Sequence, residues 1–335
     1  MLYGMGDGAQ KILDVFERYQ IKASGVFASD EFVRGHSFAG FRVEKLSEIT
    51  ARLGDDIVIV IAFASQRPEV LAKMYALGER FDVVAPDVPV TGGGLFDLEY
   101  AAAHAQTLRR AYALLADDTS RRVFENTVAF KLTGELSYLR GCETGKDEAF
   151  RGLLQPGEQE HFVDLGAYNG DTIRELLGYT GGAYASVTAL EPDHKNCKKL
   201  QQYVDASLGG RARVLHAGAW DCDGVRAFTA KAGRNSALAA QGVETPVRAV
   251  DSVLDGAPCT MLKLDVEGAE RRALEGARET IRTWRPKLNV AVYHRNEDLF
   301  DLPLLVHSLC PDYRIYLRHH PYVPAWDTNL YAAAP

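Results

Sequence analysis

Apolar positions follow different rhythms along the chain, and the changes between them divide it. From residue 1 to about 95, short apolar runs alternate with amphipathic stretches. In LYGMGDGAQKILDVFERY a glycine turn gives way to Ile12, Leu13, Val15, Phe16 and Tyr19 at helical spacing. ASGVFAS, DDIVIVIAFAS and FDVVAPDVPV read as strands, with GHSFAGFRV as a loop leading into another. The continuous run IVIVIAFA suits a parallel sheet covered on both faces. Only residues 1–3 precede the first glycines, which is short for a strand, so a trimmed start to this sheet is expected. From about 96 to 155 the strand runs stop. DLEYAAAHAQTLRRAYALLADDTSRRVFENTVAFKLTGELSYL carries a helical period, with Thr119 or Ser120 capping a second helix, and GCETGKDEAFRG reads as a polar hinge.

From residue 156 the alternation returns. HFVDLG, ASVTALEP, ARVLHAGA, TMLKLDVEG and KLNVAVY read as strands, with helices after the first, second and fourth. VRAFTA and TPVRAV are shorter β-like pieces, and DYRIYLRHH with TNLYAAA forms an antiparallel pair. Alternating βα units imply a parallel, doubly wound sheet. The expectation is an α/β chain: a small Rossmann-like domain over 1–95, a helical connector over 96–155, and a doubly wound domain over 156–335.

Composition narrows the chemistry. A chain of 335 residues has room for two cores, and 47% hydrophobic with 25% charged residues is ordinary for a globular protein. The net charge of −7 argues against a broad nucleic-acid footprint, which needs a positive surplus. Cys142, Cys197, Cys222, Cys259 and Cys310 form no CxxC pair, pointing to reduced thiols and not to a disulfide frame or zinc site. The apolar run over 57–64 is too short to span a bilayer, and no signal peptide opens the chain. A cytoplasmic protein without membrane partners is expected, with a homodimer through a sheet edge or the helical connector left open.

The stretch FVDLGAYNGDT carries the first chemical clue. Asp164 ends a strand at the edge where such sheets bind ligands. Gly166 and Gly170 are expected to let the backbone approach a ligand, and Asp171 with Thr172 to cap the next helix. Tyr168 stands where a dinucleotide fingerprint needs its second glycine, so a pyrophosphate packed on this turn is disfavoured. S-adenosylmethionine has no phosphate and carries an ammonium, a carboxylate and a sulfonium, which suits an acidic strand end beside a helix N-terminus. Glu191, followed by Pro192, ends the next strand, where an acid can take both ribose hydroxyls.

FVDLGAYNGDT, LEPD, HAGAWDCDG, LKLDVEGAERRALEGA and VAVYH together resemble the FkbM family of S-adenosylmethionine-dependent methyltransferases. The likeness runs over about 162–332, with LKLDVEGAE its most specific block. The resemblance implies a class I Rossmann-like methyltransferase fold, with a seven-stranded sheet whose last strand is antiparallel. It also implies O-methylation of a small-molecule hydroxyl, typically of a sugar or polyketide. By the resemblance, the loop with Asp164, Gly166, Ala167, Tyr168, Asn169, Gly170, Asp171 and Thr172 holds the methionine end and Glu191 the ribose. Residues 217–220 border the adenine. The usual polar adenine partner is missing there, so backbone groups of Gly218 or Ala219 are expected to serve.

A hydroxyl needs a base or a metal to become a nucleophile. Asp265 and His294, each at the C-terminal end of a strand, are the expected polar centre, and His294 has an ordinary pKa suited to proton removal near neutrality. Lys263 lies two positions before Asp265 on the same strand face, and Glu267 follows in the loop. Asp265, Glu267 and His294 could also ligate Mg²⁺ or another divalent ion, although a histidine suits Mg²⁺ poorly. Arg318 and His319 are expected over the mouth, gripping an anionic acceptor group, and the loop 233–242, with Asn235 and Ser236, as a lid over the acceptor. YGMGDGA with Asp30 has Rossmann-like spacing for a nucleotide ribose, without a clean third glycine. This leaves three alternatives open: an NAD(P)-dependent oxidoreductase, a nucleotide-sugar-binding enzyme, or a non-catalytic S-adenosylmethionine-binding module.

Overall fold

The computed structural model describes residues 1–29, 33, 35–92, 94–228 and 243–335. Asp30, Asn235, Ser236 and the expected lid lie outside the described residues.

The first strands are Leu2–Tyr3 (β1), Val26–Phe27 (β2), Ser37–Phe38 (β3), Phe41–Glu44 (β4), Val58–Ile61 (β5) and Asp82–Val84 (β6). They form a sheet in the order β3-β4-β2-β1-β5-β6, parallel except for β3, which makes a hairpin with β4 in the segment read as a loop. The period of two assigns the faces. Tyr3, Phe27, Ile59 and Ile61 enter one apolar cluster, while Leu2, Val26, Val43 and Val60 enter the other. Helix Asp7–Arg18 covers the second face through Ala9 and Ile12.

His161–Leu165 (β7), Ser186–Leu190 (β8) and Ala212–Leu215 (β9) begin the second sheet. Gly218–Ala219 (β10), Gly224–Phe228 (β11) and Val243–Arg248 (β12) form a small separate sheet from the pieces read as shorter strands. Met261–Leu264 (β13), Lys287–Ala291 (β14), Arg314–His319 (β15) and Thr328–Ala333 (β16) complete the large one. Its order is β15-β16-β14-β13-β7-β8-β9, with β16 antiparallel to both neighbours. This is the seven-stranded Rossmann-like methyltransferase arrangement, its last strand reversed and inserted one place from the edge. A further helix, Asp298–Leu309, follows β14. The sequence hides it because Pro303 interrupts the helical pattern, yet the helix is almost wholly apolar on its buried side.

Alternation in this sheet separates a dry face from a working one. Val163, Leu165, Leu262, Leu264, Leu288, Val290, Leu330 and Ile315 all enter one cluster. On the opposite face, Asp164, Lys263, Asn289, Tyr331 and Tyr316 stand side by side in register across five strands. A polar row through the middle of a sheet is costly unless its groups are paired, so it marks a site.

The residues between the sheets tie them together. Helix Asp118–Thr133 sends Val123 and Phe124 into the core of the second sheet and Phe130 into that of the first. Its N-cap is Asp117, whose carboxylate accepts from Ser120 N at 2.7 Å, and not Thr119 or Ser120 as the sequence suggested. The presumed hinge over 141–152 is packed instead. Cys142, Ala149 and Phe150 are buried, Thr144 N donates to His319 O at 2.8 Å, and a π-helical turn spans Glu148–Leu154.

Candidate active site

A cavity of about 410 Å³ opens beyond the C-terminal ends of β7, β8, β13 and β14, floored by Lys263, Asn289 and Tyr331 of the polar row. One end is built around Glu191. Its Oε2 accepts from Tyr168 N and its Oε1 from Asp193 N, both at 2.8 Å, so the carboxylate is fixed between two loops. Burial raises its pKa to about 7. Gly166, Tyr168, Asp171, Thr172, Pro192, Gly218 and Ala219 line the same space.

Other residues expected to touch a ligand turn out to shape the loop. Asp164 is fully buried behind Lys263, whose Nζ lies 3.5 Å from Asp164 Oδ1, and it does not reach the cavity surface. Burial raises its pKa to about 6, against the pull of the Lys263 ammonium. Ala167 is likewise buried, and Asn169 and Gly170 lie off the lining. The glycines serve the chain more than a ligand. A Cβ on Gly166 would stand 1.9 Å from Asp265 O, and one on Gly170 2.7 Å from the Tyr203 ring. Asp171 opens helix Asp171–Tyr179 with Gly170 at the N-cap, so no side chain caps it there.

At the other end, Asp265, Glu267 and His294 come together as expected, but with a fourth member. His294, buried, has Nδ1 2.8 Å from Glu270 Oε1, while Nε2 sits 3.5 Å from both Asp265 Oδ1 and Glu267 Oε2. Tyr293 OH donates to Asp265 Oδ1 at 3.1 Å, and Lys263 Nζ is 3.9 Å from Asp265 Oδ2. Burial works against the charge on His294, but Glu270 and the other carboxylates outweigh it and raise its pKa to about 10. Held as an imidazolium in this way, His294 has no lone pair for the base role expected of it near neutrality unless its Nε2 proton is displaced. Burial raises the Glu267 pKa as well, to about 7, which for a carboxyl favours the neutral form. Glu267 also has a left-handed backbone, φ 54°, a conformation that costs about 1–3 kcal/mol and clusters at functional sites. Among the described residues, Asp265, Glu270 and His294 form a group with metal-ligating donor atoms within 4.8 Å of one another.

Two expected acceptor residues are elsewhere. Arg318 is buried in an ion-pair network with Asp117 and Glu148, and His319 is buried with Nδ1 2.9 Å from Thr328 Oγ1. The basic end of β15 thus locks the connector to the sheet and leaves the mouth to others. Gln66 and Val90 of the first unit line the cavity, together with Tyr322, Trp326 and Asp327 of the β15–β16 loop. Thr91 N donates to His294 O at 3.1 Å and its Oγ1 to Glu267 O at 3.2 Å. None of these, nor Glu270, was found by sequence reasoning. Glu270 alone left a trace, one helical turn after Glu267 in VEGAE.

In the first unit, the glycine turn has a packing reason. A Cβ on Gly4 would stand 2.6 Å from the Phe63 ring, and one on Gly8 2.7 Å from Ala62 O. No described helix is long and apolar enough to cross a membrane.

Residues 164–324 match the family described as Methyltransferase FkbM domain. The crystal structure of methyltransferase FkbM from Methylobacillus flagellatus KT superposes with a TM-score of 0.77 at 25% identity, covering 99% of this chain and 88% of its own. The likeness therefore extends through the first unit. An rRNA methylase from Streptococcus thermophilus covers 53% of this chain and 88% of its own, with a TM-score of 0.37 at 12% identity, too distant to bear on function. No curated protein matches the chain in sequence.

Proposed function

Because the chain belongs to the FkbM methyltransferase family, we propose that this methyltransferase moves the methyl group of S-adenosylmethionine to a hydroxyl of a small polyhydroxylated acceptor. The observation that carries the reading is one cavity with a fixed, buried acid at one end and a carboxylate–histidine cluster at the other. Its volume of about 410 Å³ is within the range of small-molecule sites. Bound there, S-adenosylmethionine supplies an electrophilic methyl on a sulfonium.

Glu191 would hold the ribose hydroxyls, keeping one lone pair per oxygen free beyond the two backbone donors it already accepts. The backbone of Gly218 and Ala219 would border the adenine. The Asp164–Lys263–Asp265 chain places one ammonium between two carboxylates, which fixes Asp265 at the cavity wall. The acceptor oxygen must lose its proton as it bonds to carbon, and Asp265 or Glu267 is placed to receive it. The His294 ring stands 3.5 Å from each of these two carboxylates. Tyr322 and Trp326, with ring centroids 6.2 Å apart, offer an apolar wall for the ring of a sugar or a polyketide.

Titration calorimetry with S-adenosylhomocysteine, NAD and NADP, followed by transfer of labelled methyl to a panel of glycosides and hydroxylated polyketides, tests this. Binding of S-adenosylhomocysteine with methyl transfer to oxygen is expected. Binding of a nicotinamide cofactor alone would sink the reading, and tight S-adenosylhomocysteine binding with no transfer to any hydroxyl would favour a non-catalytic module.

A further inference from the structure

On its Nε2 side the carboxylate–histidine cluster has the wrong spacing for a self-contained ion pair and a suitable one for something between its members. A charge-assisted hydrogen bond from an imidazolium runs at about 2.7–2.9 Å. His294 Nε2 instead stands 3.5 Å from Asp265 Oδ1 and the same 3.5 Å from Glu267 Oε2, committed to neither. Two donors 3.5 Å apart, each bonded at about 2.1 Å to a common ion, subtend roughly 110° at it, an angle tolerated in tetrahedral or distorted octahedral coordination.

On the far side of the ring a carboxylate stands where ligating histidines have one. Nδ1 lies 2.8 Å from Glu270 Oε1, and this carboxylate is itself fixed by Val266 N at 2.9 Å. A carboxylate behind a histidine sets the ring's orientation and leaves the other nitrogen for the ion. A second observation does not depend on those distances. Glu270 is fully buried, and its Oε2 has no hydrogen-bond partner among the described residues. A buried carboxylate oxygen without a proton to accept is expensive unless a cation lies close. The charges agree: Asp265, Glu267 and Glu270 gather round one imidazole, and Lys263, 3.9 Å from Asp265 Oδ2, is shared with Asp164.

We propose that Asp265, Glu267 and His294 hold a divalent cation at the acceptor end of the cavity, the ion displacing the Nε2 proton of His294 to solvent, with Glu270 orienting the ring from behind. The inference rests on the transfer reading for its purpose, since a cation there would bind the acceptor hydroxyl and make its proton more acidic. Two carboxylates and one imidazole suit Mn²⁺, Fe²⁺ or Zn²⁺ better than Mg²⁺, which prefers all-oxygen sites.

Mn²⁺ alone is the probe. Its free aqueous ion gives an electron paramagnetic resonance signal that is lost on binding, so titration of the full chain counts sites without any need for activity. One site is expected in the unaltered protein, with affinity at least tenfold lower in Glu267→Gln and in His294→Ala. Asp265→Asn, close in shape to the native residue, gives the same answer should His294→Ala fail to fold. No binding at millimolar Mn²⁺, or equal binding by all the variants, overturns the proposal. S-adenosylhomocysteine affinity is measured on the same samples: its loss from the unaltered protein would count against the transfer reading, while the Mn²⁺ result would stand or fall separately.

Discussion

Glu191 and Gly166 show what single positions decide. Burial raises the Glu191 carboxyl from its ordinary 4.5 to about 7, and ribose hydroxyls donate more strongly to the ionised form. Affinity for S-adenosylhomocysteine should therefore rise between about pH 6 and pH 8 and then level off. Calorimetry across that range checks it, with Glu191→Gln binding about tenfold more weakly, roughly 1.4 kcal/mol, and without the slope. For stability the sign is opposite. A folded pKa above the unfolded one gives a contribution present below about 4.5 and lost as pH rises through about 7, so Glu191→Gln should melt higher than the native chain at about pH 8. Gly166, at φ 77° with Asp265 O where its Cβ would be, tolerates no side chain. Gly166→Ala should cost roughly 3 kcal/mol or more in urea unfolding. At this scale the sequence was informative where an acid closes an apolar run, as with Glu191 and Asp265. It could not tell a cavity acid from one sealed behind Lys263: each closes an apolar run in the sequence, but in register Asp164 pairs with Ala189 inside the sheet while Glu191 lies two residues further out, beyond the end of its strand.

Elements explain why half the site was invisible beforehand. Most strands and the parallel, doubly wound layout were legible, since βα alternation and period-two faces leave few topologies. Helix Asp298–Leu309 was lost behind Pro303, and the acceptor side was lost because it is assembled from segments hundreds of residues apart. The segment after β6 makes the point. Thr91 hydrogen-bonds to the carbonyls of both His294 and Glu267, so one residue of the first unit holds the two loops that follow β13 and β14. A Cβ on Gly268 would also stand 3.1 Å from Thr91. Thr91→Ala keeps the backbone bond to His294 and loses the hydroxyl bond to Glu267. Turnover should then fall about tenfold, with S-adenosylhomocysteine affinity unchanged, and Thr91→Ser should restore it. Steady-state kinetics beside calorimetry separates this from general damage, which would lower both readouts and resist the serine.

For the whole molecule, the sequence suggested two domains joined by a connector, but the packing shares cores between them. Phe130, Leu136 and Leu139 of the connecting helices, together with Val323 and Ala325 from the β15–β16 loop, belong to the cluster under the first sheet. Ser65 and Val323 exchange backbone hydrogen bonds at 2.9 and 3.0 Å. Lys131 and Asp87 form a buried ion pair across the same junction, and removing one partner of such a pair costs about 3–5 kcal/mol. A fragment of residues 96–335 would therefore carry the complete seven-stranded sheet with an apolar surface where the first unit belongs, and Lys131 without its partner. It should bind a hydrophobic dye, self-associate and melt well below the full chain, and Gln66, Val90 and Thr91 would be gone from its cavity. Unfolding of the full chain should be a single transition by both fluorescence and circular dichroism, with Lys131→Ala lowering its midpoint without splitting it. A fragment that stays monomeric, binds no dye and melts with the full chain would mean that the shared packing adds little, and that the first unit is an appendage to the methyltransferase and not one wall of its active site.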